Sequence, residues 1–125
     1  MLIKSKSNCP ALLANDGCTV YELLHPKNDP IDLSFSLAWA EVKVGQSSYR
    51  HRLAQVEVYF IVAGNGVMHI DDQVADVGPG DTVYIPAGAE QWIENSGDKA
   101  LHFAAIVSPP WREEDDVRLD TAEIE

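Results

Sequence analysis

Cysteine is scarce in this chain. Only Cys9 and Cys18 occur among 125 residues. They sit close together near the start, with no disulfide framework and no CxxC knuckle, so two thiols in a reducing cytoplasm are expected. Long apolar runs are missing as well. None approaches the ~20 residues that a membrane span needs. Met1 to Asn15 holds two lysines but no continuous apolar core, so no secretory signal is expected. Basic residues are few: nine Lys and Arg stand against twenty Asp and Glu, a formal net charge of −11. Such a surface repels phosphate backbones and argues against nucleic-acid partners. A sustained apolar period of 3.6 residues is also absent, which argues against a helical core.

Short β-like runs punctuated by Gly, Pro, Asp and Asn fill the middle of the chain. They are Thr19–Leu24, Leu33–Val44, Ser48–Leu53, Glu57–Val62, Val67–Asp71, Thr82–Ile85, Gln91–Asn95 and Ala100–Val107. This spacing predicts one all-β domain, a sandwich or barrel. Gly64-Asn65-Gly66 suits a hairpin, Asp71-Asp72 a second hairpin tip, and Gly78-Pro79-Gly80-Asp81 a rigid turn. The only helical candidate is Trp111–Leu119. The expected organisation is an N-terminal arm over 1–18, the barrel over 19–110, and an acidic tail over 111–125. From Arg112 onward seven acidic and two basic residues contribute −5 of the net charge, and this end is expected to be solvated. Pro109-Pro110-Trp111 follows the last barrel strand, and Trp111 is expected to anchor the tail.

Alternation in Leu33–Val44 puts Phe35, Leu37 and Trp39 on the same face as Glu41 and Lys43. Large apolar groups on a nominally outer face need a cover. A second subunit, giving a homodimer, or a flanking strand such as Thr19–Leu24 would supply one.

The candidate chemistry lies at His51 and Glu57. On one straight strand the two would stand ~20 Å apart, whereas metal–ligand bonds are only ~2 Å long. A shared site therefore requires the chain to reverse at Leu53–Val56. His51 and Leu53 would then point inward from one strand, Glu57 and Tyr59 from the next, with Gln91 arriving from a separate hairpin. Alternation turns Trp92 away from Gln91 and turns His69 and His102 outward; His25 has no predicted facing.

Two glycine-bounded segments carry a family likeness. The first runs Gly45, His51, Leu53, Glu57, Gly64; the second runs Gly80, Pro86, Gly88, Gln91, Asn95. They resemble the paired signature motifs of the cupin superfamily over about Leu33 to Ser108. The resemblance implies a single-domain cupin barrel, a double-stranded β-helix or jelly roll. It implies a metal site too, because typical cupins bind Mn, Fe, Ni, Cu or Zn through two histidines and a glutamate of the first motif and a histidine of the second. Here His51 and Glu57 match ligand positions, while Leu53 and Gln91 stand where the family has His. Leu53 has no lone pair to offer, and Gln91 offers only a neutral carbonyl oxygen.

Two functions follow from this. In one, His51, Glu57 and Gln91 hold a divalent ion (Fe, Mn, Ni or Zn) and the cup acts on a small molecule by dioxygenase-, isomerase- or lyase-like chemistry, with Tyr59 assisting as a hydrogen-bond donor. In the other, metal binding has been lost, and the chain is a non-catalytic binding or sensory cupin for a small ligand. Fold alone does not choose between them.

Overall fold

The computed structural model describes residues 1–13 and 18–119. Eleven strands build two antiparallel sheets among the described residues. The first sheet runs β1 (Ala11–Leu13), β2 (Cys18–Leu24), β3 (Ser36–Val42), β10 (Leu101–Ser108), β5 (Val56–Ala63), β8 (Thr82–Ile85) in spatial order. The second runs β11 (Asp116–Arg118), β4 (His51–Leu53), β9 (Glu90–Asn95), β6 (Gly66–Ile70), β7 (Gln73–Val77). The expected all-β barrel is therefore present.

Strand alternation explains the core. In β5 Glu57, Tyr59 and Ile61 are buried while Phe60 and Val62 are exposed; in β10 Leu101, Phe103, Ala105 and Val107 are buried. Of these, Tyr59, Ile61, Leu101, Phe103 and Ala105 meet Met68, Ile85 and Ile93 in one cluster, as the period of two demands. Asn95 closes one corner: its amide nitrogen donates to the carbonyls of Val42 (2.9 Å) and Lys99 (2.8 Å), and its oxygen accepts from the Gly97 N–H (2.9 Å). Its role here is architectural.

Several local expectations are corrected. Asp71-Asp72 does tip a hairpin, pairing β6 with β7 from Ile70↔Gln73 onward. Gly64-Asn65 does not. It carries the chain from β5 in one sheet to β6 in the other. Gly64 adopts φ 86°, and a Cβ there would lie 2.6 Å from the Ala100 carbonyl oxygen, so glycine is required by backbone approach as well as by φ. The strand expected over Leu33–Val44 is formed over Ser36–Val42. In place of a helix over Trp111–Leu119, a 3-10 turn at Glu113–Asp115 leads into β11, which pairs with β4. This segment is tied down by backbone bonds from Ala54 N–H to the Asp115 carbonyl (3.0 Å) and from Leu119 N–H to the Arg50 carbonyl (2.8 Å). The side-chain amide of Gln55 adds bonds to Pro110 O and to Asp115.

On the outer face of the first sheet, β2 lies beside β3 rather than over it. The N-terminal arm supplies part of a cover. Lys6 pairs with Glu41 (2.5 Å) and lies over the rings of Tyr21 and Trp39. Further along, Phe60, Val62, Tyr84 and Ile106 stay exposed.

Candidate functional site

The chain reverses between β4 and β5, at Ala54-Gln55, and in doing so passes from one sheet to the other. This brings His51 and Glu57 to the same interior. His51 faces Gln91 directly in the β4–β9 ladder. Glu57 and Tyr59, two residues apart on β5, both point inward. Together with Phe103, Trp111 and Asp116, residues His51, Glu57 and Tyr59 line a cavity of about 580 Å³, a size typical of small-molecule sites.

His51 is held by a residue outside both motifs. Its Nδ1 lies 2.7 Å from Asp116 Oδ1. A carboxylate only accepts, so Nδ1 carries the hydrogen and Nε2 is the acceptor nitrogen of the neutral ring. The Trp111 Nε1–H donates to the other carboxylate oxygen of Asp116 at 3.1 Å. Tyr49 packs edge-on to the imidazole at 5.1 Å, and Arg118 lies over the Tyr49 ring at 4.5 Å. Asp116 was invisible in the sequence because it stands in an acidic run that reads as solvated surface. The aromatic at Trp111 was the only hint that this run returns to the barrel.

Glu57 is 7% exposed, and its Oε1 has no hydrogen-bond partner among the described residues. Burial pushes its pKa up from 4.5 to about 7, against the lowering effects of nearby His51 and of a hydrogen bond from Gln91; Asp116 adds a smaller upward push. The Tyr59 hydroxyl donates to Gln91 Oε1 at 3.0 Å. Burial, and then the Glu57 charge, holds that phenol well above its usual range, so it stays a donor. Tyr59 also packs against Phe103, with ring centroids 4.3 Å apart.

Gln91 thus bridges Tyr59 and Glu57. It is 1% exposed and stands outside the cavity lining. This bears on a metal. The Gln91 carbonyl oxygen is engaged by the Tyr59 hydroxyl, and Gln91 stands outside the cavity lining that holds His51 and Glu57. Leu53, 1% exposed, supplies none. Among the described residues no three His, Cys, Asp or Glu side chains gather as a metal site. His51, Glu57 and Gln91 come together, but their donors do not fit a resident divalent ion.

The remaining histidines have structural partners. His69 stacks on Trp92 (centroids 3.6 Å apart), and His102 accepts from Trp39 Nε1–H at 3.3 Å. His25 is buried. Its Nδ1 accepts from Lys27 N–H (3.1 Å), and its Nε2 lies 2.7 Å from the Trp111 carbonyl, which fixes the tautomer with hydrogen on Nε2. It staples the end of β2 to the C-terminal segment. Sequence reasoning also missed Glu22, a buried carboxylate in the cavity wall.

This barrel, with each of its two motifs contributing a strand to both sheets, is that of a cupin. The cupin domain pattern matches residues 38–107, and the chain belongs to that family. It is 38% identical over 104 residues to an uncharacterized protein of Methanocaldococcus jannaschii, covering 82% of each chain. It is 25% identical over 113 residues to an oxalate-binding protein of Thermotoga maritima, covering 86% of this chain and 93% of that one. Among solved structures, the Streptomyces nucleoside dehydratase Pac13 superposes with a TM-score of 0.78 at 14% identity, over 95% of this chain and 91% of that one, which shows a shared fold. No helix of the described residues is long and apolar enough to cross a membrane.

Proposed function

We propose that this cupin binds a small organic molecule in its cup and moves a proton on it without a resident metal. One observation carries the reading: a buried carboxyl, Glu57, with one oxygen unpartnered, stands in the wall of the cavity that His51 also lines, and His51 is oriented by Asp116. A pKa near 7 lets Glu57 exist in both protonation states at neutral pH, as a general acid–base group requires. Glu57 holds the proton at Oε1 and His51 Nε2 accepts or returns one. Tyr59 keeps Gln91, and through it the Glu57 carboxyl, in place. Isomerase- or lyase-like proton transfers suit such a pair. A reducing cytoplasm suits the thiols Cys9 and Cys18, which no disulfide joins. A homodimer would cover Phe60, Val62 and Ile106.

Proton NMR in D₂O over a panel of small metabolites tests this. Wild type should exchange or convert a carbon-bound hydrogen of a bound compound, and Glu57→Gln should bind the same compound without exchange. A ligand bound but left unchanged by wild type makes the chain a binding protein. An ion held one per chain, and lost in both His51→Ala and Glu57→Ala, overturns the metal-independent reading.

A further inference from the structure

We propose that the cavity takes a neutral, hydroxyl-bearing ring compound, of sugar or nucleoside type, and rejects carboxylates and phosphates. This rests on the cup being a small-molecule site and adds the class of its occupant.

The wall is acidic. Glu22, Glu57, Glu113 and Asp116 line the cavity, and Glu22 and Glu57 are 8% and 7% exposed. Its cationic groups are engaged within the protein. Lys27 Nζ lies 3.2 Å from Glu22 Oε2 and sits over the Trp111 ring at 5.3 Å. Arg118 lies on Tyr49. His25 spends both ring nitrogens on backbone groups. A site built for a carboxylate or phosphate presents an arginine fork or a nest of backbone N–H groups. The arginine among the described lining residues, Arg118, lies instead on the Tyr49 ring.

The Glu57 carboxyl in the cavity wall, 7% exposed and with Oε1 unpartnered, points to the group that belongs beside it. A buried polar atom costs free energy until it is paired. A hydroxyl satisfies it in either state, donating to a carboxylate or accepting from a carboxylic acid. An anionic ligand would bring like charge toward Glu22 and Glu57 in a partly dry space, where repulsion is weakly screened. Tyr49, Phe103 and Trp111 supply aromatic surface for the apolar edges of a ring.

Saturation-transfer NMR on the full chain at pH 8 tests the proposal with matched probes. They are glucose beside glucuronate and glucose 6-phosphate, and uridine beside uridine 5′-monophosphate. A neutral member should bind at least about tenfold tighter than its anionic partners, a difference of roughly 1.4 kcal/mol. Glu22→Gln should narrow that ratio. Lys27→Gln, on a half-exposed side chain, should widen it, so the test survives a poorly folding Glu22 variant. Anionic members binding as well as neutral ones would overturn the ligand class and leave the small-molecule reading standing. Saturation transfer to none of the probes would overturn both.

Discussion

Replacing Glu57 with Gln should stabilise this protein above neutral pH and leave it almost unchanged near pH 4.5. The reasoning is a linkage argument. Unfolded, the carboxyl titrates near its ordinary value of 4.5; folded, it titrates near 7, because burial disfavours the charged form. Between these two values the native state binds a proton that the unfolded state has released, so stability falls as pH rises. The protection is complete below 4.5 and gone above 7. At 1.36 kcal/mol per pH unit, the loss across the window is roughly 3 kcal/mol. Glu57 is 7% exposed, so solvent screening removes little of it. Glutamine keeps the shape and cannot ionise, so the variant escapes the loss. For a chain of this length, roughly 3 kcal/mol corresponds to about 10 °C in Tm. Thermal melts of both proteins at pH 5, 6, 7 and 8 read the difference. Asp29 and Asp115, whose carboxyls are held below their usual range by Lys4 and Arg112 respectively, titrate in both proteins and cancel. A Tm difference that stays constant from pH 5 to pH 8, or grows toward acid, would refute the placement of Glu57 as an uncompensated buried carboxyl.

Asp116→Asn should lower any turnover by about 10²-fold, within the range for general acid–base groups. Nitrogen-15 shifts of His51 should show that the ring no longer holds its hydrogen on Nδ1; an unchanged tautomer would separate Asp116 from His51. The pair Leu53→His and Gln91→His supplies the two imidazoles that the family pattern has, and titration calorimetry should find one zinc or nickel ion per chain; wild type should show none. Gly64→Ala should cost more than about 2 kcal/mol in urea unfolding, because its Cβ meets the Ala100 backbone. Gly88→Ala has a similar φ of 81° and nothing within 4 Å, and should cost about 1 kcal/mol. Phe60→Glu, at an exposed site on the outer face of β5, should dissociate a dimer in sedimentation velocity; a wild type that already sediments as a monomer would remove the dimer reading.

Much of the architecture was legible because period-two alternation and turn chemistry act locally. Glu57, Tyr59 and Ile61 face inward for the same reason that Phe60 and Val62 do not. Turn chemistry has a limit, however. Gly64-Asn65-Gly66 permits a sharp change of direction, but the same residues serve a hairpin and a crossing between sheets; the choice is made by what β5 and β6 pair with far along the chain. Strands of three residues, β1 and β11, are too short to show a period. Asp116 is the costly case. Nothing in Glu113-Glu114-Asp115-Asp116 separates the carboxylate that orients His51 from its neighbours, because its role depends on β11 pairing with β4 across more than sixty residues of chain. The site itself was half legible. His51, Glu57 and Gln91 do converge, yet which end of the Gln91 amide meets Glu57 is decided by the Tyr59 hydroxyl, a contact between strands that no motif encodes.

Leu53 and Gln91 change the chemistry of Glu57 as well as the ligand count. A divalent cation beside a carboxylate stabilises its charged form and drives its proton off. Leu53 removes one donor for such an ion, and the Gln91 carbonyl oxygen is engaged by the Tyr59 hydroxyl. What remains around that carboxyl is burial, opposed only in part by His51 and by one amide hydrogen bond. Without a cation at that point, burial would dominate and the group would hold a proton near neutrality. On the proposed reading, the residues that weaken a metal site, Leu53 and Gln91, are also the ones that would leave Glu57 free for acid–base work, on the same backbone and at the same depth in the cup.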